Sequence, residues 1–346
     1  MSVIDSNAAK DSISYREVVT GEYPKVKTFL DTVWKKNHIF SLNKELLDFQ
    51  HQTSADQYTI VGAFNDNSDL LGILGFISPA FYSTRAINQG DDIWLAIWAA
   101  DKKNSEHNGV GLGLLDFLNR TYIPNSVSAI GINKQVAMLY RLLGFEVGSL
   151  DQIYIPRKHY KKGYLGHNLR PSPCISELVD LEILPTSFED IIDSNIPPRT
   201  APPYKMTEWI RDRCQQHPCY CYQPLKIQYK RRSVAWIIAR EVHAIGRTAL
   251  RIVEMSNLTE DVPSFGDLLA TFAEAKDYDY VDMVCDKDFG SELVNRGLLR
   301  ANSESFPPHL FEPYDPKRVE VWYASNTSGL SISKLDSDLD RPNQRI

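Results

Sequence analysis

The chain has 346 residues, 43% of them hydrophobic and 24% charged, which at about 100–200 residues per domain excludes a single small domain and points to roughly two. Thirty-eight Lys and Arg against 44 Asp and Glu leave a net charge of −6, the wrong sign for a protein whose main partner is a phosphate backbone, so nucleic acid is excluded as principal partner. No apolar run reaches the roughly 18–20 residues of a membrane span, and the first residues lack the basic end and apolar centre of a signal peptide, so the expected location is cytoplasmic.

The first half alternates strands and helices. Residues 14–19 predict a strand, 23–35 an amphipathic helix with Val26, Phe29, Leu30 and Val33 on one face, and 43–51 a second helix. The β-rich runs 57–64 and 70–77 flank Asn65-Asp66-Asn67-Ser68-Asp69, the turn chemistry of an antiparallel hairpin. At 92–100, DIWLAIWAA is the longest apolar strand candidate. Regular alternation puts Ile93, Leu95 and Ile97 on one face and Trp94, Ala96 and Trp98 on the other, so both faces need cover. A glycine-rich loop at 108–113, a helix to about 120, a strand at 128–132, a helix at 135–143 stopped by Gly144 and a strand at 146–155 complete the unit.

The basic, proline-bounded stretch 157–173 reads as a linker. A second unit follows: a strand at 177–184, a short helix at 187–194, a proline-broken stretch at 195–204, a helix at 204–216, and strands at 222–230, 234–243 and 249–255. A helix at 264–276, a strand at 280–285, a helix at 289–295 and a strand at 320–324 close it. The element order repeats that of the first half, which predicts two tandem α/β domains, 1–160 and 177–325, joined by a linker at 161–176 and followed by a tail at 326–346.

The strand, glycine loop and helix over residues 93–120 form an anion site by elementary physics. Gly109, Gly111 and Gly113 let backbone amides turn inward, and the helix behind them adds the positive end of its dipole. The loop follows the fourth strand candidate, unlike a dinucleotide fingerprint, and it lacks the Lys-Ser/Thr pair of a Walker loop. Asn108, Gly111 and Gly113 match the CoA-binding pattern Arg/Gln-x-x-Gly-x-Gly/Ala of the GNAT acyltransferase superfamily, with Asn108 as a departure. Twenty residues on, NKQVAMLYRLLGF at 133–145 resembles that superfamily's second motif.

The resemblance implies a mixed α/β fold of two GNAT-like domains, each a central, mostly antiparallel sheet flanked by helices. It also implies acetyl-CoA as cosubstrate. Asn108, Gly109, Val110, Gly111, Leu112 and Gly113 would hold the pyrophosphate, while Trp98, Ala99, Ala100 and Asn133 would line the pantetheine arm. Tyr140 would protonate the leaving CoA thiolate. The second half lacks both signatures and resembles a degenerate copy that serves acceptor binding. DDIWLAIW, WIRDRCQQHPCYCY, LRIVEM, LFEPYDP and DSDLDRPN further resemble two-domain proteins of bacterial surface polysaccharide biosynthesis, which implies a nucleotide-linked amino sugar as acceptor. A peptide or protein amine, or a non-catalytic binding role, are the alternatives.

An amine attacks a thioester only as the free base, so a carboxylate or histidine should lie nearby. Asp92, Glu208 and His217 are the candidate bases, and Trp94 and Glu254 the candidate acceptor contacts. Asp92 also reads as strand-start punctuation and His217 as a helix-end cap. In the tail, Asp336, Asp338, Asp340 and Arg341 read as a solvated terminus or as a flap that recognises the acceptor. A dianionic acceptor would also need basic residues such as Arg85, Arg199 or Lys205. The five cysteines (Cys174, Cys214, Cys219, Cys221 and Cys285) suit reduced thiols, and the short spacing of Cys214, His217, Cys219 and Cys221 is poor for a tetrahedral metal site, so no metal is expected.

Overall fold

The computed structural model describes residues 12–101, 109–161, 164–170 and 180–343. Six strands of the first half enter one sheet: β1 (Ser14–Val19), β2 (Gln57–Phe64), β3 (Leu70–Ile77), β4 (Asp92–Ala100), β5 (Ser126–Ile132) and β6 (Glu146–Ser149). A second sheet takes β7 (Asp151–Pro156), β8 (Leu181–Pro185), β9 (Gln223–Tyr229), β10 (Arg232–Ala244), β11 (Arg247–Met255), β12 (Tyr280–Cys285) and β13 (Leu299–Arg300). A small hairpin, β14 (Leu310–Phe311) and β15 (Tyr314–Asp315), precedes β16 (Trp322–Ser325). The sheets run β1-β2-β3-β4-β5-β16-β6 and β8-β9-β10-β11-β12-β7-β13, so the two halves are tandem copies of one seven-stranded plan.

The copies exchange a strand. The sequence predicts one strand over 146–155, but the chain breaks at Leu150, whose amide donates to the Val321 carbonyl at 2.8 Å. β6 stays in the first sheet while β7 pairs with β12 in the second, and β16 returns from the end of the chain to lie between β5 and β6. The reason is visible in the side chains: Ile153, Tyr154 and Ile155 are buried, whereas β6 is half-exposed. Neither sheet is therefore made from a contiguous half of the chain. One core also spans both halves, with Trp94 and Trp209 in contact at 5.6 Å between ring centroids.

Two further segments are packed into the fold. The described parts of the expected linker are packed: Leu165 and Leu169 are buried, and the Leu165 amide donates to Asp279 Oδ2 at 2.7 Å. The tail is not solvated either. Ile332, Leu335, Asp336 and Asp340 are all at most 1% exposed, which polar composition alone did not foretell, because each of these carboxylates has a buried cationic partner.

Local signals account for much of the rest. Asn43 caps the helix Lys44–His51 by accepting from the Leu46 amide, and Asn133 caps the helix Lys134–Leu142 by accepting from Val136. The expected helix over 23–35 is α-helical only over Tyr23–Phe29, and its last turn widens to a π-type turn at Leu30–Trp34.

Candidate functional site

β4 carries a β-bulge. Leu95 lies opposite Phe76 and Ile97 opposite Gly75, so Ala96 has no β3 partner. The extra residue inverts the alternation beyond it. Trp94 and Ile97 therefore share one face, and Ile93, Leu95 and Trp98 the other, in place of the regular pattern read from the sequence. The inversion puts Trp98 against the helix Val110–Tyr122, where its Nε1 donates to the Gly111 carbonyl at 3.1 Å and its ring meets Tyr140 edge-on at 5.6 Å.

At the same place the sheet forks. β4 and β5 pair in parallel from Asp92↔Ser126 only as far as Leu95↔Ala129, although both strands continue. The diverging ends open into a cavity of about 1280 Å³. Its first wall is Leu95–Asp101, Gly109, Gly111, Leu112, Ala129–Asn133 and Tyr140, and its second is built by Arg240, Arg251, His309, Glu312 and the C-terminal segment from Lys334 to Asn343. Gly109 has φ +95, the left-handed geometry that starts the helix with its amides facing out. A Cβ at Gly113 would overlap the Tyr15 ring, so this glycine serves close packing.

Tyr140 is buried, and burial pushes its phenol above the ordinary value, so it stays protonated at rest. Its hydroxyl has no hydrogen bond among the described residues, while the ring is held between Trp98 and Phe145. It is an uncommitted proton donor on the cavity wall.

The second wall is ionic. Arg240 and Arg251 are cross-strand partners on β10 and β11. Asp340 accepts from Arg240 Nε and Nη2 at 2.9 Å each and from Tyr222 Oη at 2.8 Å. Asp282 accepts from Arg251 Nε at 3.0 Å and Nη2 at 2.8 Å. Burial raises the Asp340 carboxyl, but Arg240 and Lys334 outweigh it and hold it well below the usual carboxylate range.

The fork of the second sheet is closed. β11 and β12 pair only over Leu250–Ile252 against Val281–Met283. Beyond them, the Leu335 amide donates to the Val253 carbonyl at 3.0 Å, the Asp286 amide donates to the Ile332 carbonyl at 3.2 Å, and Ser333 bridges Cys285. The C-terminal segment thus occupies in the second half the place that stands open in the first.

No protein-family model matches the sequence, and no curated protein matches it. Solved structures do. A GCN5-related N-acetyltransferase from Anabaena variabilis is similar over 91% of this chain and 72% of its own, with TM-score 0.55 and 13% identity. One from Kribbella flavida is similar over 92% of this chain and 72% of its own, with TM-score 0.51 and 12% identity. The fold is that of the GCN5-related N-acetyltransferases. Within this N-acetyltransferase fold, the forked strands, the glycine turn and the Tyr140 helix face one cavity.

The residues expected to hold the cofactor are largely gathered there. Trp98, Ala99, Ala100, Gly109, Gly111, Leu112, Asn133 and Tyr140 line the cavity, whereas Val110 and Gly113 pack inward; Asn108 lies outside the described residues. Asp338 and Arg341 also line it, joined by a 2.8 Å ion pair.

The other candidates lie elsewhere, each for a physical reason. Asp92 sits at the far end of β4, accepting from Ser126 Oγ at 2.6 Å and the Tyr204 amide at 3.1 Å, and so ties strand ends together. Glu208 lies in the first turn of the helix Thr207–Gln215, off the cavity wall. His217 accepts from the Cys219 and Tyr220 amides through Nδ1 and stacks on Tyr220 at 5.1 Å; burial and Arg213 push it down to about 2, leaving a neutral turn residue. Trp94 is fully buried in the shared core.

Glu254 and Asp336 are buried about Lys205, whose Nζ is 2.5 Å from Glu254 Oε2 and 3.1 Å from Asp336 Oδ1, with Ser333 Oγ donating to Glu254. Arg199 is taken by Asp286 at 2.6 Å, and Arg85 donates to the Phe49 carbonyl. The cations that do reach the cavity, Arg240, Arg251, Lys334 and Arg341, include three that motif reading passed over. The signal was a charged residue inside an apolar strand run, VAWIIAR and LRIVEM. No group of three His, Cys, Asp or Glu side chains is placed to hold a metal among the described residues.

Proposed function

We propose that this protein is a cytoplasmic, acetyl-CoA-dependent N-acyltransferase in which the first half presents the thioester and the second half the acceptor amine. The observation that carries the reading is the fork of β4 and β5, open, flanked by the glycine turn and faced by Tyr140. Gly109, Val110, Gly111, Leu112 and Gly113, with Asn108, would supply the turn and helix start that face the pyrophosphate. The free edges of Trp98–Ala100 would pair with the pantetheine amides as an added strand pairs with a sheet edge. Asn133 keeps its side-chain amide NH₂ available, since its Oδ1 is the atom that caps the helix. Attack of the free amine forms a tetrahedral oxyanion held by backbone amides beside the bulge at Ala96; collapse expels a thiolate that takes the Tyr140 proton, and the proton lost from the nitrogen restores the phenol.

Within amine acceptors, the reading we favour is a nucleotide-linked amino sugar for surface polysaccharide, whose diphosphate would compete with Asp340, Asp282 and Asp338 for Arg240, Arg251 and Arg341. Two measurements test these steps. CoA at a hundred times its dissociation constant should stabilise the fold by about 2.7 kcal/mol, read as a rise in unfolding temperature; no rise at millimolar CoA sinks the proposal. Incubation with acetyl-CoA, a thiol reagent and UDP- and dTDP-linked amino sugars should release CoA thiol with one of them, and release with peptide amines alone moves the acceptor to that class. With the active acceptor, Tyr140→Phe should lower the maximal rate about a hundredfold and leave CoA stabilisation unchanged. An unchanged rate would remove the proton-donor role.

A further inference from the structure

Lys334 is a buried lysine with no carboxylate of its own. Its Nζ donates to the Leu339 carbonyl at 3.2 Å, and the nearest carboxylate oxygen, Asp340 Oδ1 at 4.0 Å, already serves Arg240. The groups that face it are cations or spoken for: Arg240 with Asp340 and Glu312 on one side, Arg251 with Asp282 on the other, and His309, which burial and Lys334 keep neutral. Burial and the two guanidiniums push the ammonium down to about 7, so much of the side chain is free amine at neutral pH.

Position makes this consequential. Lys334 lines the cavity at 3% exposure. Leu339, whose carbonyl holds the amine, approaches Gly131 on β5 to 3.5 Å of where a Cβ would stand. Ser337 Oγ donates to the Leu95 carbonyl at 3.4 Å, and Leu95 is the last β4 residue paired with β5. The segment that carries the amine is therefore anchored at the fork, and Lys334 lines the same cavity as the fork residues.

We propose that Lys334 is an acyl acceptor within the chain itself, a self-modification site presented to the thioester at the fork. The inference rests on the acyl-CoA reading above. Lys334 Nζ attacks the thioester carbonyl, a C–N bond forms as the C–S bond breaks, and one amine proton ends on the leaving sulfur, giving N-acetyl-lysine and free CoA with no redox change. The product replaces a basic amine on the acceptor wall by an amide that cannot take up a proton, which would weaken the hold on an anionic acceptor.

The test is mass spectrometry of the full chain after incubation with acetyl-CoA. One acetyl group per chain should appear, mapped to Lys334, at least about tenfold faster than at Lys317, whose side chain is 80% exposed. Its rate should rise about tenfold from pH 6 to 8 and then level, whereas an ordinary lysine keeps gaining free amine up to about pH 10. Lys334→Arg should abolish the label and keep CoA stabilisation. An unmodified Lys334 in a protein that acetyl-CoA does stabilise overturns the inference and leaves the acyltransferase reading standing. Equal labelling by acetyl phosphate, which has no nucleotide to seat in the glycine turn, also overturns it. Absence of any stabilisation by CoA overturns both.

Discussion

Lowering the pH from 6.5 to 5.5 should remove about 4 kcal/mol of folding stability, because four buried histidines resist protonation only while the chain is folded. His38, His51, His217 and His309 are at most 8% exposed. Burial, with nearby cations, pushes His38 and His51 down to about 3, His217 to about 2 and His309 well below the ordinary range. The unfolded chain takes up these protons near pH 6.5 and the native chain does not, so stability is full above that pH and falls below it. Each histidine contributes about 1 kcal/mol over this unit, and Asp336, raised to about 6 by burial, opposes by less than about 1 kcal/mol. Urea unfolding at pH 7.5, 6.5 and 5.5 reads the effect directly. A level profile across this range would show that the four rings are solvated.

Asp340→Asn should cost about 3–5 kcal/mol, the usual penalty for leaving one partner of a buried ion pair behind. Asp340 is 1% exposed and holds Arg240 through three contacts, with Arg240 also stacked 3.8 Å over the Tyr220 ring. The amide keeps the shape and loses the charge, leaving Arg240 with only the longer Glu312 contact at 3.8 Å and Lys334 without its nearest carboxylate. Replacing both partners, Arg240→Met with Asp340→Leu, should recover most of the loss, since an apolar pair of similar volume escapes the desolvation cost. The readout is the urea midpoint at pH 7.5. A loss below about 1 kcal/mol would put the pair in the class of exposed salt bridges.

The first half of the site was legible in residues 92–145 because its parts are local. A glycine turn, a capped helix and an apolar strand each depend on neighbours within a few positions, and Gly109, Asn133 and Tyr140 stand on the cavity wall for that reason. The bulge at Ala96 was not legible, since a one-residue insertion in the ladder is set by where β3 pairs. Trp98 thereby changed face. The candidate bases Asp92 and His217 lie away from the cavity for another reason: they were picked by residue type, and each is consumed by a partner distant in sequence or by a turn.

The duplication, the element order and the half of the chain that carries the glycine turn follow from periodicity and short-range turn chemistry, and so could be read along the chain. That β7 and β16 change places and that the polar C-terminal segment is core emerge only from the packed molecule. So does the way this segment fills one fork and roofs the other. These depend on long-range pairings such as Lys205 with Asp336 and Arg240 with Asp340, in which a charge enters the interior only once its partner is already there to meet it.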